Sequence, residues 1–279
     1  MLMTARLPGL LGEARLSKMC GLLARAIRRC VLAYHDQQFY DDPQGFANYM
    51  AHRGNPANPN DTIEAPIFTE LLGPVAGLDI LDLGCGDGTY GQQLLAGGCR
   101  SYLGLDASVN MVDAAHARLT DTTVAGTVVQ ADIRKWDYPT AAFDRVLSRL
   151  ALHYLADEDI VPLFSQVFAA LRPAGRFVFS VLHPVFTSSP RSLQASARHQ
   201  DWIVDDYFVP GPRVFPWLQA EVTWHHRTVE DYVTLLQSAD FVLARLRESR
   251  PDPDHFPDPD DYARRRRIPL FLFLVGVKG

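Results

Sequence analysis

Short apolar runs alternate with segments whose apolar residues recur every three or four positions between Leu78 and Leu182. Such runs predict buried strands, and the three-to-four periodicity predicts amphipathic helices. The predicted strands cover residues 80–83, 101–105, 127–130, 143–148 and 176–182. The predicted helices cover residues 90–96, 109–119 and 159–171. Alternation at this spacing is typical of βαβ units, so we expect an α/β fold with a Rossmann-like, doubly wound sheet.

The segment before this region predicts a helical extension at residues 1–40. Residues 16–34 carry apolar side chains at steps of three and four, which form a stripe along one helix face. The stripe could pack on its own domain, on a neighbouring subunit or, because the helix is basic, on a membrane surface, and the sequence leaves these alternatives open. We therefore expect a homo-oligomer joined through this helix and no membrane partner. A further helix is predicted at residues 63–72, with Asp61 or Thr62 as its N-cap.

The region that follows the fifth predicted strand interrupts the alternation. Residues 184–224 are rich in aromatic residues and prolines, and they follow the carboxyl end of a strand. A long insertion at that position is typical of a cap over a substrate site.

Thr228 and Asp231 then predict a capping box before a helix at residues 232–238. Residues 241–246 and 270–277 predict two closing strands, antiparallel to each other, so that residues 41–279 form one domain.

Composition and charge narrow the classes of partner. The chain of 279 residues is 47% hydrophobic and 21% charged, which is typical of a globular protein. Its formal net charge of -5 argues against nucleic acid as a partner. The basic run from Arg264 to Arg267 stands just before the last predicted strand, and we interpret it as a solvated turn. Four cysteines without CxxC spacing, and no apolar run long enough for a membrane span or a secretory signal, predict a cytoplasmic protein.

A glycine-rich turn, Leu-Asp-Leu-Gly-Cys-Gly-Asp-Gly-Thr, runs from Leu81 to Thr89 directly after the first predicted strand. Glycines let the backbone adopt unusual dihedral angles and approach a ligand closely, and the next helix offers free amides. An NAD-dependent reductase is one alternative, but Thr89 stands where GxGxxG requires its third glycine. Asp82 and Asp87 would repel a diphosphate, whereas they suit a cationic ligand.

Two further acids stand at the ends of the next two predicted strands. Asp106 follows the glycines by about 20 residues, where a carboxylate can accept hydrogen bonds from both ribose hydroxyls. Asp132 ends the third strand, where a carboxylate can hold the exocyclic amine of adenine. Ile133 and Met111 are expected to enclose the adenine ring. Acids at successive strand ends, in register with one glycine turn, predict a cationic nucleoside cofactor.

These motifs resemble the core of the class I S-adenosylmethionine-dependent methyltransferases over residues 75–182. The resemblance lies in LDLGCGDG from Leu81, LGLDAS from Leu103, QADI from Gln130 and FDRVLSRLALHYL from Phe143. It implies a seven-stranded sheet with an antiparallel last strand, and S-adenosyl-L-methionine as the cofactor. The segments at 225–241 and 263–274 resemble the C-terminal part of bacterial small-molecule methyltransferases, many of which act in secondary-metabolite biosynthesis.

The same resemblance implies which residues contact the cofactor. The glycine turn would face the methionine part, and a Tyr-xxx-Arg segment at Tyr49 and Arg53 would close over its carboxylate. The implied cofactor-binding residues are Tyr49, Arg53, Gly84, Cys85, Gly86, Asp87, Gly88, Asp106, Ala107, Met111, Asp132, Ile133, Arg149 and Leu150.

The sequence does not identify which atom of the acceptor receives the methyl group. An oxygen or nitrogen acceptor needs a general base, for which His183 after the fifth strand and His153 are the candidates. His225 and His226 are interpreted as structural. A carbon acceptor instead leaves positive charge that aromatic faces can stabilise. The candidate acceptor-binding residues are Tyr34, Phe39, Tyr40, Phe186, Trp202, Phe208 and Trp217.

The aromatic cap favours a methyltransferase for a hydrophobic natural product, with carbon methylation of an isoprenoid or aromatic acceptor as the first hypothesis. In its aromatic cap and its extra N-terminal helix, the chain resembles the bacterial prenyl C-methyltransferases of teleocidin type. Methylation of oxygen or nitrogen with His183 as base is the second hypothesis. A non-catalytic S-adenosylmethionine-binding subunit is the hypothesis from another class. No metal site is expected.

Overall fold

A computed structural model describes residues 33–35, 37–55, 57–120, 126–191, 201–256 and 258–279. The predicted N-terminal helix therefore lies outside the described residues, except at its end. There Ala33–Tyr34 forms a short strand, β1, rather than the last turn of a helix.

The centre of the molecule is a seven-stranded sheet. Its strands are β2 (Asp79–Leu83), β3 (Ser101–Asp106), β4 (Gly126–Gln130), β5 (Phe143–Arg149), β6 (Leu171–Leu182), β9 (Phe241–Glu248) and β10 (Phe271–Lys278). They lie in the order β4-β3-β2-β5-β6-β10-β9. The pairs from β4 to β6 are parallel, whereas β10 runs antiparallel to both β6 and β9. The predicted fold class and the antiparallel last strand are confirmed.

Helices cover both faces of this sheet. The helices are α1 (Gln38–Asp41), α2 (Pro43–Arg53), α3 (Ala65–Leu72), α4 (Thr89–Ala96), α5 (Val109–Leu119), α6 (Asp157–Ala170), α7 (Pro184–Thr187), α8 (Val229–Ser238) and α9 (Pro259–Arg265). Buried side chains of α3, α4 and α5 share one core with Ile80, and those of α6 and α8 share the other with Leu81. Neighbouring residues of β2 thus point to opposite faces, and both faces are covered, as a parallel sheet requires.

The cap contains regular structure that the sequence pattern did not predict. Strands β7 (Gly211–Trp217) and β8 (Ala220–His226) form an antiparallel hairpin, and β1 pairs parallel with β8 to complete a three-stranded sheet. Pro212 and Pro216 on β7 obscured the alternating pattern. Because proline lacks the amide proton that a central strand donates, it is tolerated on an edge strand such as β7.

Two helix starts differ from the predictions. The predicted helix at 63–72 is preceded by a π-helical turn at Asn60–Glu64, and no side chain caps α3. The capping box of Thr228 and Asp231 is confirmed, although α8 begins at Val229. Within the described residues, no helix is long and apolar enough to cross a membrane.

Candidate active site

A cavity of about 410 Å³ opens where β2, β3, β5 and β6 end at their carboxyl termini. Open α/β sheets bind ligands at this edge because the loops there diverge. Its walls come from the strand ends, from α1 and α2, from the cap and from α9. All implied cofactor-binding residues line it except Gly88, which precedes α4 and packs against Ala115.

The glycine turn has the conformation that its sequence requires. Gly84, Gly86 and Gly88 have φ angles of 75°, 56° and 73°, in the region that other residues rarely adopt. A Cβ on Gly84 would lie 2.6 Å from the Cβ of Ala151. The turn therefore needs glycine both for its backbone angles and for the close approach of the segment after β5.

Asp106 lies at the end of β3 and holds the turn. Its two carboxylate oxygens accept hydrogen bonds from the backbone amides of Gly86, at 2.8 Å, and Ser108, at 2.9 Å. Burial raises the pKa of Asp106, and these two amides oppose that shift. Each oxygen keeps a second lone pair, so the carboxylate can accept hydrogen bonds from a ligand as well.

Asp82 is a buried acid beneath the same turn. Its carboxylate accepts a hydrogen bond from the Tyr102 hydroxyl at 2.9 Å. Burial raises the pKa of Asp82 to about 7, against the opposing effects of Tyr102 and Arg149. Within the described part of the chain, neither Asp82 nor Asp106 forms an ion pair. Two acids without a cationic partner leave the cavity suited to a cationic ligand.

Asp87 and Asp132 differ from these two acids because each already has an arginine partner. Asp87 pairs with Arg118 at 2.9 Å. Asp132 accepts hydrogen bonds on both oxygens from the Arg134 guanidinium, at 2.8 and 2.9 Å. Burial raises the pKa of Asp132, but the bonds from Arg134 outweigh it and lower the pKa overall. The adenine assignment of Asp132 stays a prediction, and Arg134, which also lines the cavity, was not foreseen.

Arg149 has a buried partner that the sequence pattern did not predict. Arg149 bonds the carboxylate of Glu64, a fully buried residue of the π-helical turn, and Ser180 donates to the same carboxylate at 2.6 Å. The guanidinium carbon lies 4.2 Å from the centroid of the Tyr90 ring. Glu64 lies 85 positions before Arg149 in the chain. A local sequence motif cannot predict an ion pair between residues so far apart.

Tyr49 and Arg53 lie on α2 and line the cavity. The Tyr49 ring packs edge-on against Tyr40, with centroids 5.1 Å apart. Arg53 pairs with Asp61 at 2.9 Å. Both residues line the cavity beside the glycine turn, so the geometry permits the cofactor contacts implied for them.

The wall that the cap contributes to the cavity is aromatic, and we call it the acceptor end. Phe186, Trp202 and Trp217 are three predicted acceptor-binding residues on this wall, and a fourth, Tyr40, lines the cavity beside Tyr49. His52, Tyr154 and Trp224 also line it and were not predicted there. The hydroxyls of Tyr40 and Tyr154 lie 2.9 Å apart, so α1 is tied to the segment after β5.

Three predicted acceptor-binding residues lie elsewhere. Phe39 is fully buried in the core beside Tyr34, whose ring centroid is 5.9 Å away, and neither residue lines the cavity. Phe208 is 85% exposed and packs against Tyr207 on the outside of the cap. Aromatic content alone could not tell these positions apart, because it does not specify which way a ring faces.

The basic run before the last strand is not simply a solvated turn. Arg264 and Arg265 end helix α9, and both line the cavity. The interpretation of these two residues as a solvated turn was wrong, because both belong to a helix, are only partly exposed and line the cavity.

Comparison with known proteins agrees with this geometry. A family model described as a methyltransferase domain matches residues 80–175. The crystal structure of an S-adenosylmethionine-dependent methyltransferase from Mesorhizobium loti is 32% identical, with a TM-score of 0.68, and the match covers 81% of this chain and 99% of that one. A similar structure from Listeria monocytogenes is 32% identical, with a TM-score of 0.66, over 77% and 98% of the two chains. This chain belongs to the class I S-adenosylmethionine-dependent methyltransferases.

Among curated proteins, the 27-O-demethylrifamycin SV methyltransferase of Amycolatopsis mediterranei is 28% identical, and the match covers 68% of this chain and 59% of that protein.

The residues of this methyltransferase fit its cofactor. S-adenosylmethionine supplies an activated methyl group on a positively charged sulfur. Asp82 and Asp106 are the unpaired acids of the cavity, and they can balance the cationic methionine part and accept the ribose hydroxyls. Ile133 and Met111, both buried, offer apolar surface beyond Asp106.

The two candidate bases of the methyltransferase have different surroundings. His153 lines the cavity, and its Nδ1 is buried without a hydrogen-bond partner among the described residues. Burial lowers the pKa of His153 to about 3, and Arg227 and His225 lower it further, so the ring is neutral near pH 7. His153 can accept a hydrogen bond there, but it is a weak base.

His183 was the preferred base in the sequence analysis, and the structure places it outside the cavity lining. Its Nδ1 accepts the Val185 amide at 3.1 Å as the cap of α7, and its Nε2 lies 3.0 Å from a Glu248 oxygen. Burial lowers the pKa of His183, while Glu248 opposes that shift. Both ring nitrogens are therefore occupied structurally. His226 is likewise structural, because Thr187 and the Tyr207 carbonyl hold its two nitrogens.

Proposed function

We propose that this methyltransferase transfers the methyl group of S-adenosylmethionine to a hydrophobic, ring-containing small molecule in natural-product biosynthesis. The observation that carries the proposal is the aromatic wall of Phe186, Trp202, Trp217 and Trp224, which is continuous with the cofactor end of the same cavity. A volume of about 410 Å³ is in the range of pockets that enclose small organic molecules.

The packing of the aromatic wall supports an apolar acceptor. Trp224 is buried and contacts Phe215 at 4.7 Å and Trp217 at 5.7 Å between ring centroids. Phe186 extends the wall, 6.4 Å from Trp224. Rings fixed by one another lose little entropy when a ligand binds, and they favour an apolar ligand through the hydrophobic effect.

Within this function, we place carbon methylation of an isoprenoid or aromatic acceptor first. His153 is held neutral with a pKa of about 3, so it is poorly suited to remove a proton from a hydroxyl or an amine. An electron-rich carbon can attack the methyl group first and lose its proton afterwards, and aromatic faces stabilise the intermediate charge. Methylation of oxygen or nitrogen with His183 as base loses support, because His183 lies outside the cavity lining.

The natural-product role rests on the acceptor site and on one relative. The Amycolatopsis relative, by its name, acts on 27-O-demethylrifamycin SV. The similarity to prenyl C-methyltransferases of teleocidin type depends on the N-terminal helix, which lies outside the described residues. It therefore stays a prediction.

The proposal is tested by incubating the enzyme with methyl-labelled cofactor and a panel of aromatic, prenylated and polar aliphatic metabolites. We expect label transfer to apolar ring-containing members, located on carbon by NMR of the product. Trp217→Leu and Trp224→Leu should reduce turnover, whereas Trp136→Leu, outside the cavity beside Tyr138, is the matched control. Label transfer confined to polar aliphatic members would contradict the apolar acceptor. Label on oxygen or nitrogen would contradict carbon methylation alone.

A further inference from the structure

Helix α9 brings two neighbouring arginines to the acceptor end of the cavity. Arg264 and Arg265 are the last residues of this helix, and both are only partly exposed. Among the residues that the structure describes, neither forms a salt bridge, and the Nε of Arg264 is buried without a hydrogen-bond acceptor. Guanidinium groups removed from water normally have a carboxylate partner, because burying an unpaired charge is costly.

The electrostatic surroundings of Arg265 are unbalanced. Burial lowers the pKa of Arg265 to about 10, Arg264 lowers it further, and Asp261 on the same helix opposes the shift. His52 adds no charge of its own, because burial, Arg53 and Arg265 all lower the pKa of His52 and favour its neutral form. Asp261 is therefore the one carboxylate that offsets the charge of Arg265 noticeably, and it forms no salt bridge with it among the described residues.

The corner lies at the acceptor end rather than at the glycine turn. The charge of Arg265 lowers the pKa of His52, so the two side chains are close to each other. His52 packs edge-on against Trp217, with ring centroids 5.5 Å apart. Trp217 in turn contacts Trp224. Arg53, the neighbour of His52 on α2 and an implied cofactor-binding residue, already pairs with Asp61.

We propose that the methyl acceptor carries a carboxylate, which Arg264 and Arg265 bind at the corner completed by His52 and Trp217. A planar carboxylate can accept two parallel hydrogen bonds from one guanidinium group. The acceptor then has two parts, an apolar ring system against the tryptophans and an acid beside the arginines. This inference rests on the proposed function, because it specifies the acceptor of the same site.

A purely structural role for Arg265 predicts the opposite effect on stability. An arginine that stabilises the fold makes bonds whose loss destabilises it, whereas an uncompensated buried charge destabilises the free enzyme. We therefore expect Arg265→Gln to leave the Tm of the ligand-free enzyme unchanged or to raise it by roughly 2–4 °C. A lowered Tm would contradict the assignment.

Ligand binding tests the proposal directly. Calorimetry on the full-length enzyme with S-adenosylhomocysteine present compares three probes of one ring system, namely naphthoate, naphthamide and naphthyl phosphate. We expect naphthoate to bind at least tenfold more tightly than naphthamide, and Arg265→Gln and Arg264→Gln to remove most of that difference. Arg247→Gln, at an exposed pair with Glu70, is the matched control and should change nothing.

Three outcomes would overturn the inference. Equal affinity for naphthoate and naphthamide would exclude a carboxylate site, and tighter binding of naphthyl phosphate would assign the corner to phosphate. An equal loss of S-adenosylmethionine affinity in Arg265→Gln would show that the arginines bind the cofactor carboxylate instead. Failure of the proposed function is separate, because it appears as absence of methyl transfer to any apolar ring compound, whether acidic or neutral.

Discussion

At the residue scale, Asp82 and Asp106 are two buried carboxylates of the cavity that form no ion pair among the described residues. Asp106 accepts two backbone amides and has lone pairs left for the ribose hydroxyls. We expect Asp106→Ala to weaken binding of S-adenosylmethionine by about 1–3 kcal/mol, because bonds to a charged acceptor are lost. Isothermal calorimetry measures the change, and Asp113→Ala, on the exposed side of α5, is the control. An affinity equal to that of the control would exclude the ribose assignment.

The raised pKa of Asp82 predicts that cofactor binding depends on pH. Its pKa of about 7 lies far above the ordinary value of 3.8 because the carboxyl group is buried. A cationic ligand favours the ionised form, so binding of S-adenosylmethionine near pH 7 should release a proton from Asp82. Calorimetry in buffers of different ionisation enthalpy measures that proton. Asp82→Asn should abolish the release, and an unchanged release in this variant would contradict the assignment.

The same raised pKa affects the stability of the free enzyme. Between about pH 4 and pH 7 the folded state binds more protons at Asp82 than the unfolded state does. Asp82 therefore contributes stability that is present below about pH 4 and is lost as the pH rises through 7. Denaturation of wild type and Asp82→Asn across this range should show a steeper fall in the free energy of unfolding for the wild type.

At the element scale, one buried ion pair joins the segment before α3 to the central sheet. Glu64 is fully buried, and it holds both Arg149 and Ser180 at the ends of β5 and β6. Removing one partner leaves the other charge buried and unpaired, so we expect Glu64→Gln to cost about 3–5 kcal/mol of unfolding free energy. Urea denaturation measures the loss.

Two further variants check this interpretation. Glu64→Gln combined with Arg149→Met should recover much of the loss, because no unpaired charge then remains. Glu70→Gln removes an exposed partner of Arg247 and should cost no more than about 1 kcal/mol. Equal losses in Glu64→Gln and Glu70→Gln would contradict a role for burial.

The central sheet was predictable because its signals are local. A strand such as β2 is a buried run next to a glycine turn, and helix α5 was predicted at its observed bounds, Val109–Leu119. The cap was predictable only as an insertion, because the pairing of β1 with β8 joins residues nearly 190 positions apart, such as Ala33 and Glu221. The same limit applies to Glu64, Arg264 and Arg265. Their residue types are plain in the sequence, but only the packing brings Glu64 to Arg149 and the two arginines to the cavity.

At the scale of the whole molecule, the N-terminal stripe remains a proposal about assembly. We propose that residues 16–32 join copies of the chain into a homo-oligomer. Deleting residues 1–32 should then lower the number of chains per particle, as measured by light scattering. Deleting residues 1–12, which precede the stripe, should not. An unchanged number of chains per particle after the longer deletion would exclude this role.

The cavity draws its two halves from very different parts of the chain. The glycine turn and the acids of the cavity lie between β2 and the end of β5, whereas its aromatic wall comes from the cap, and α9 adds Arg264 and Arg265. Ribosomal synthesis proceeds from the N-terminus, and domains fold as their segments emerge. The nucleoside pocket is therefore complete in sequence long before the ribosome has made the cap and α9. A nascent chain stalled after β6 should bind S-adenosylhomocysteine before it can hold any acceptor.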